Sequence, residues 1–375
     1  MKSEKNKINR ITKKEGLKLL KDSDLLGLGT MADNVRQKLH PKGIVTFIID
    51  RNINYTNICI NRCAFCAFWR EEKDPEAYIL DKKTLFKKIK ETIALGGTQI
   101  LIQGGLHPEF DINYYVELLK SIKENFNIHI HGFSPPEICY IADKMGFTLK
   151  KTIKVLKEAG LDSIPGGGAE ILSDRIRKKL SPKKIGKDRW LRVMEEAHKL
   201  GIKTTATMMF GSIEEPEDII EHLDAIRKLQ DKTNGFTAFI PWSFQPGNTE
   251  LSQKAEVKKM RSYEDKRKIL TSQLLNLSTS HLYPATGVEY LRVLALSRIY
   301  LDNVPNIQAS WVTQGLKLAQ IALRFGANDF GSTMIEENVV ASAGVRHIVS
   351  INDILNAIKG ASFKPAQRDM YYNII

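Results

Sequence analysis

Short, largely apolar runs recur along the chain at 44–49, 99–103, 128–133, 161–164, 203–210, 235–240, 306–310 and 327–330. Runs of this length bounded by turn residues predict strands. Between them apolar residues return every three or four positions, as Ile219, Leu223 and Ile226 do on one helical face. Glycines mark several helix ends, at Gly96, Gly160 and Gly201. Eight strands alternating with helices predict an α/β fold, a parallel (β/α)8 barrel of TIM type. The later strands carry the weakest patterns, and a partial barrel is the alternative. Residues 1–40 precede the first strand and read as helices, with Leu17, Leu20, Leu25, Leu26 and Leu28 closing the bottom or side of the barrel. Residues 41–375 form the barrel and its C-terminal segments, with a polar, lysine-rich excursion at about 251–283.

The chemically distinctive segments all follow predicted strand ends. They are the loop containing Cys59, Cys63 and Cys66, then Gln103-Gly104-Gly105, His131 to Glu137, Pro165 to Glu170, and Gln245 to Thr249. In a barrel these loops converge on one face, where catalysis occurs.

Composition narrows the function class. Of 375 residues, 42% are hydrophobic, which suits a globular chain with a sizeable core. The start, Met1 to Lys7, has no apolar run behind its charges, and nothing reaches the length of a membrane span. A cytoplasmic, reducing location is therefore expected. The net charge of +13 is spread along amphipathic segments and mixed with acids, without an RNA-binding aromatic signature or a basic tail. Nucleic acid is not the expected partner.

Three of the four cysteines stand as Cys59-x-x-x-Cys63-x-x-Cys66. A structural zinc site needs a fourth ligand, but His40 and His107 lack zinc-knuckle spacing. An electron-carrier cluster also wants a fourth nearby thiolate. Cys139 lies far downstream and reads as an ordinary buried cysteine. Three thiolates on one loop can hold three corners of a cubane cluster and leave one iron open for a ligand.

With Phe65 before its last cysteine, the motif resembles that of the radical S-adenosylmethionine (SAM) superfamily. The resemblance implies a [4Fe-4S] cluster on Cys59, Cys63 and Cys66, SAM chelated to the open iron, and reductive cleavage of SAM to a 5′-deoxyadenosyl radical. It also implies cofactor contacts for the backbone around Phe65, for Gln103, Gly104 and Gly105, and for Glu170, which can accept hydrogen bonds from ribose hydroxyls. The ordinary readings are packing for Phe65, a turn for the glycines and helix capping for Glu170.

Further segments resemble menaquinone-pathway enzymes that act on futalosine derivatives. They include 50–57, 133–138, 165–172, 204–211, 236–242, 244–249, 308–315 and 330–338. Within that family the likeness is greatest to cyclases of dehypoxanthine futalosine. It implies hydrogen abstraction from the sugar, radical addition to the benzoate ring of the same molecule, and an external electron donor such as flavodoxin or ferredoxin. Related enzymes that make aminofutalosine, or that attach a tyrosine-derived fragment in deazaflavin synthesis, are the alternatives. A base must remove the ring proton. The candidates are Glu137, His129 and His131; the two histidines alternate on a strand and so share a face. Thr205, Thr207 and Met209 form a similar stripe, while Arg192 reads as a solvated helix charge.

Overall fold

The computed structural model describes residues 10–253 and 284–375. Beyond Gln253 the predicted excursion lies outside the described residues. Among the described residues there are ten strands: β1 (Ile44–Ile48), β2 (Asp50–Asn54), β3 (Gln99–Gln103), β4 (His129–Gly132), β5 (Ser163–Ile164), β6 (Lys203–Phe210), β7 (Phe236–Ser243), β8 (Asn306–Ile307), β9 (Asp329–Ser332) and β10 (Lys364–Gln367). Seven of them, β2 to β8, form one sheet in chain order, and every pairing is parallel.

β1 and β2 are two halves of one strand broken at Ile49. β1 pairs in parallel with β9 on one side and β10 on the other. A parallel bridge between Gln308 and Asp329, with Ala309 N–H donating to the Asp329 carbonyl at 2.9 Å, joins the end of β8 to β9. The strands thus follow one another around a curled barrel, as the alternating pattern predicts.

Two strands were not anticipated. The alternation of Asp50, Asn52 and Asn54 reads as a strand end, because Asp and Asn are poor strand formers. Here β2 continues because its backbone pairs with β3 while the Asp50 and Asn52 side chains face the barrel interior. β10 contains Pro365, which signals against a central strand, but β10 is an edge strand, where proline is tolerated.

The period of two sorts each strand into an outer and an inner face. Ile100, Ile102, Ile130, Ala206 and Met208 are fully buried under the helices. Gln99, Leu101, Gln103, His131, Thr205 and Thr207 face the lumen. The polar residues inside the barrel are therefore the alternate members of otherwise apolar strands.

Helices Lys13–Asp22 and Leu25–Leu39 begin at Thr12 and Asp24, whose side chains accept N–H bonds from the first turn. They pack on the side of the barrel, against helices Pro216–Thr233 and Gly287–Tyr300. Leu20 and Leu28 are buried there, whereas Leu26 is exposed and leaves the predicted apolar set. Arg192 is exposed and pairs with Glu196, as a solvated helix charge should. Among the described residues no helix is long and apolar enough to cross a membrane.

Candidate active site

The parallel sheet places the loops after β2, β3, β4 and β5 at one rim of the barrel. The cysteine loop is tied there by backbone bonds: Cys59 N–H to Arg70, Ile60 N–H to Leu106, Ala64 N–H to Leu180 and Cys66 N–H to Cys63, all 3.0–3.1 Å. Gly104 and Gly105 are required by this packing. A Cβ on Gly105 would lie 2.1 Å from the Ile58 carbonyl oxygen, and one on Gly104 would lie 2.5 Å from the Tyr55 ring. The end of β3 can press against the loop only as glycine.

Cys63 is buried, and Cys59 and Cys66 are half-buried. Burial pushes the Cys63 thiol up to about 12 and raises that of Cys66, while backbone N–H groups of Phe68 and Trp69 act in the opposite sense on Cys66. A metal centre supplies the positive charge that burial withholds and deprotonates a coordinating thiol. Among the described residues no three His, Cys, Asp or Glu side chains gather around a single point. A cubane takes one thiolate per iron, so its ligands are spread over three corners rather than converging. The loop fits that group better than a single ion.

Lys184 connects this loop to the next. Its ammonium lies 5.2 Å from the Phe65 ring centroid and 2.9 Å from Glu170 Oε1. Arg177 Nη1 lies 3.5 Å from Glu170 Oε2. Glu170 itself has a left-handed backbone, φ 40°, at the end of the Pro165 to Ala169 turn. That turn is pinned where Gly166 N–H donates to Thr205 Oγ1 at 3.0 Å and Thr207 Oγ1 donates back to the Gly166 carbonyl at 2.7 Å.

The three base candidates separate. Glu137 is buried at the start of helix Pro135–Met145. It accepts from Tyr55 Oη at 2.7 Å, Gly104 N at 3.1 Å, Ser134 N at 2.7 Å and Ser134 Oγ at 2.6 Å. Those bonds tie the ends of β2, β3 and β4 together, and Glu137 does not line the central cavity. His131 does line it. Its Nδ1 lies 2.7 Å from Ser163 Oγ, and His129 Nε2 lies 2.6 Å from the same oxygen. The two histidines share a face, one layer apart. Burial, aided by His129 and Arg368, holds His131 well below the ordinary imidazole range.

The cavity, about 270 Å³, fills the lumen beneath the rim. Gln103, Glu170 and His131 reach it, whereas Cys59, Phe65 and Gly104 stand at or behind the rim. One wall is apolar: Ile240, Trp242, Trp311, Val312, Val339 and Val340. The rest of the lining is largely polar. Asn52 Oδ1 and Gln99 Oε1 are buried acceptors without a hydrogen-bond partner, and both residues line the cavity. Gln99 is oriented by its own donation to Asp50 Oδ2 at 2.6 Å. Unpartnered buried acceptors of this kind call for a ligand rich in donors, such as sugar hydroxyls. At the floor Arg368 is spent on Asp329, at 2.6 and 2.9 Å.

Asp50, Asn52, Gln99, Ser163, Trp242 and Arg368 were not among the predicted site residues. The period of two on β2 and β3 was the available signal for the first three. Ser163 had none, since its place depends on pairing between β4 and β5.

Comparison with known proteins gives five findings. The family model described as the radical SAM superfamily matches residues 53–226, and that described as the CofH/MqnC C-terminal region matches residues 273–375. The cyclic dehypoxanthine futalosine synthase of Halalkalibacterium halodurans is 44% identical over 98% of this chain and 92% of its own length. The 5-amino-6-(D-ribitylamino)uracil–L-tyrosine 4-hydroxyphenyl transferase of Methanocaldococcus jannaschii is 42% identical over 97% of each chain. Among solved structures, methylornithine synthase superposes with TM-score 0.69 over 95% of this chain and 94% of that one, at 18% identity, a likeness of fold.

Proposed function

This chain belongs to the radical SAM superfamily, in the group with the CofH/MqnC C-terminal region, and we propose that it closes a ring within dehypoxanthine futalosine. It is a radical SAM enzyme, and its family works with a [4Fe-4S] cluster and SAM. In this reading Cys59, Cys63 and Cys66 hold the cluster, and Phe65, Gln103, Gly104, Gly105 and Glu170 seat SAM. Bound there, the two groups supply a hydrogen-abstracting radical and an acceptor for the one electron that ring closure gives up.

The chain's own residues orient the substrate, exclude water and take a proton. One observation carries the reading: a single cavity is lined both by unpartnered acceptors on Asn52 and Gln99 and by an aromatic and aliphatic surface of Trp242, Trp311, Val339 and Val340. A molecule that holds a sugar and an arene together matches both at once. The 308–315 and 330–338 segments, which carry the resemblance to the cyclases, contribute Trp311, Val312, Thr313, Ser332 and Met334 to that cavity. His131 is the base for the ring proton, because it alone of the three candidates borders the cavity. Glu137 is a positioning residue that fixes Gly104 and Tyr55. An external one-electron donor such as flavodoxin or ferredoxin reduces the cluster before the first turnover, and the electron given up on ring closure restores it afterwards.

The second reading is 4-hydroxyphenyl transfer from tyrosine to a ribitylaminouracil, favoured by the comparable identity of the archaeal relative. Anaerobic, cluster-reconstituted enzyme given SAM and a reductant distinguishes them. With dehypoxanthine futalosine the cyclase releases 5′-deoxyadenosine and a product two hydrogens lighter. Formation of a hydroxyphenyl adduct from tyrosine and the aminouracil, with no cyclised product, sinks the proposal.

A further inference from the structure

Ser163 lies opposite His131 in the β4–β5 register and is fully buried. Its one hydroxyl is within hydrogen-bond distance of two imidazole nitrogens, His131 Nδ1 at 2.7 Å and His129 Nε2 at 2.6 Å. A hydroxyl has one proton to give, so the two nitrogens cannot both be acceptors. If both rings donated to its two lone pairs, the buried Ser163 O–H would have no acceptor among the described residues, so one ring donates to Ser163 and the other accepts from it. Among the described residues His131 Nε2 has no such partner, and the residue borders the cavity. For Nε2 to act as a base, Nδ1 must carry the hydrogen. That choice fixes the chain: His131 Nδ1–H donates to Ser163 Oγ, and Ser163 O–H donates to His129 Nε2.

The outer end of this chain points away from the rim. His129 is the first residue of β4, is half-buried, and meets the edge of the Tyr371 ring at 5.5 Å. Tyr371 is half-exposed. Burial lowers the His129 pKa below the ordinary imidazole value; Lys123, which pairs with Asp162 at 2.6 Å, acts the same way, while Asp162 and Asp369 act in the opposite sense. Three polar groups in line therefore span from the lumen to the N-terminal end of the barrel.

We propose that His131, Ser163 and His129 form a proton path that carries the ring proton from the cavity to the end of the barrel opposite the cysteine loop. The inference rests on the cyclase reading, which supplies the proton. The balance is simple: one proton enters at His131 Nε2, one moves across each hydrogen bond, and one leaves from His129 Nδ1. No electron travels this way. The direction suits the chemistry, because a carbon radical at the rim must be kept from bulk water while its ring proton still needs an exit. Glu137 offers no alternative route, since its oxygens are already engaged by four donors.

The test uses the full, cluster-reconstituted chain and reads cyclised product formed per 5′-deoxyadenosine, in H2O and D2O. Ser163→Ala and His129→Gln each interrupt the path. Each is expected to lower that ratio by about tenfold and to change the solvent isotope effect on it. Ser163→Thr, which keeps the hydroxyl, is expected to restore the ratio. If wild type cyclises and both interrupting variants keep its ratio and isotope effect, the path is overturned while the cyclase reading stands. If wild type forms no cyclised product, the cyclase reading itself falls and takes the proton's source with it. His129, half-buried at the barrel end, keeps the test open should the buried Ser163 variants fold poorly.

Discussion

At the rim of the barrel the site residues are neighbours in sequence; at its floor they are neighbours only in space. Cys59, Cys63 and Cys66 share one loop, Gly104 and Gly105 are adjacent, and Glu170 ends a single turn. Asp329 and Arg368 meet across β1, which lies between β9 and β10, and Asp50 and Ser332 meet because β2 continues β1 alongside β9. The rim is built from short loops, which in the proposed reading carry the cofactor-binding side chains. The floor is a set of buried charges and hydroxyls that must satisfy one another before anything can bind above them. Damage to the rim should therefore remove chemistry and spare the fold, and damage to the floor should weaken the fold first.

The largest expected effect is at the rim. Cys63→Ala should abolish 5′-deoxyadenosine formation and strip iron from the reconstituted protein, as read by iron analysis and visible absorbance, with the circular dichroism spectrum kept. Loss of the folded spectrum would break the comparison, because it would make the cysteine loop part of the core.

At the floor, Arg368→Met leaves Asp329 fully buried without its bidentate partner. The expected cost is about 3–5 kcal/mol in urea unfolding, since a buried charge is left uncompensated. A change under about 1 kcal/mol would place the pair in a wetter, weaker environment than its burial indicates.

Between the two lies Glu137, which belongs to both. Glu137→Ala removes a helix cap and leaves the Tyr55 hydroxyl and Gly104 N–H unpaired, for about 1–3 kcal/mol of stability. Acting by position, it should lower 5′-deoxyadenosine and cyclised product together. A variant that still forms 5′-deoxyadenosine at the wild-type rate but no product would instead make Glu137 the ring base.

These outcomes also bear on what could be read from the chain. The order of strands and the convergence of the loops were legible, because apolar runs and glycine punctuation are local signals. So were the cysteines, through their spacing. The base was not. Glu137, His129 and His131 are equivalent by residue type, and only the register of β4 against β5 and the direction of helix Pro135–Met145 tell them apart. β2 was missed because its inward residues are polar, a pattern that reads as a loop until the lumen they face is known. The aromatic wall needed Trp242 of β7 and Trp311, beyond β8, to be brought together by closure of the barrel.

A smaller, graded effect concerns the outer layer shared by both halves. Burial lowers His198 to about 4 and His222 to about 3. Each is neutral in the folded chain, whereas the unfolded chain binds a proton below about 6.5. The unfolded state therefore gains protons first, and stability falls as pH drops from 6.5 toward 4, by up to about 1.4 kcal/mol per pH unit for each residue. Melting temperatures measured across that range should decline, and His222→Gln should flatten the slope. A slope unchanged by His222→Gln would assign the acid sensitivity to other groups.

The central claim is that the rim starts the reaction and the lumen decides its outcome through His131. It is tested most directly by measuring cyclised product per 5′-deoxyadenosine for wild type and His131→Gln, with dehypoxanthine futalosine under anaerobic conditions. Wild type should give a ratio near one, and the variant should show a fall of about 100-fold or more. A His131→Gln enzyme that keeps the wild-type ratio would contradict it.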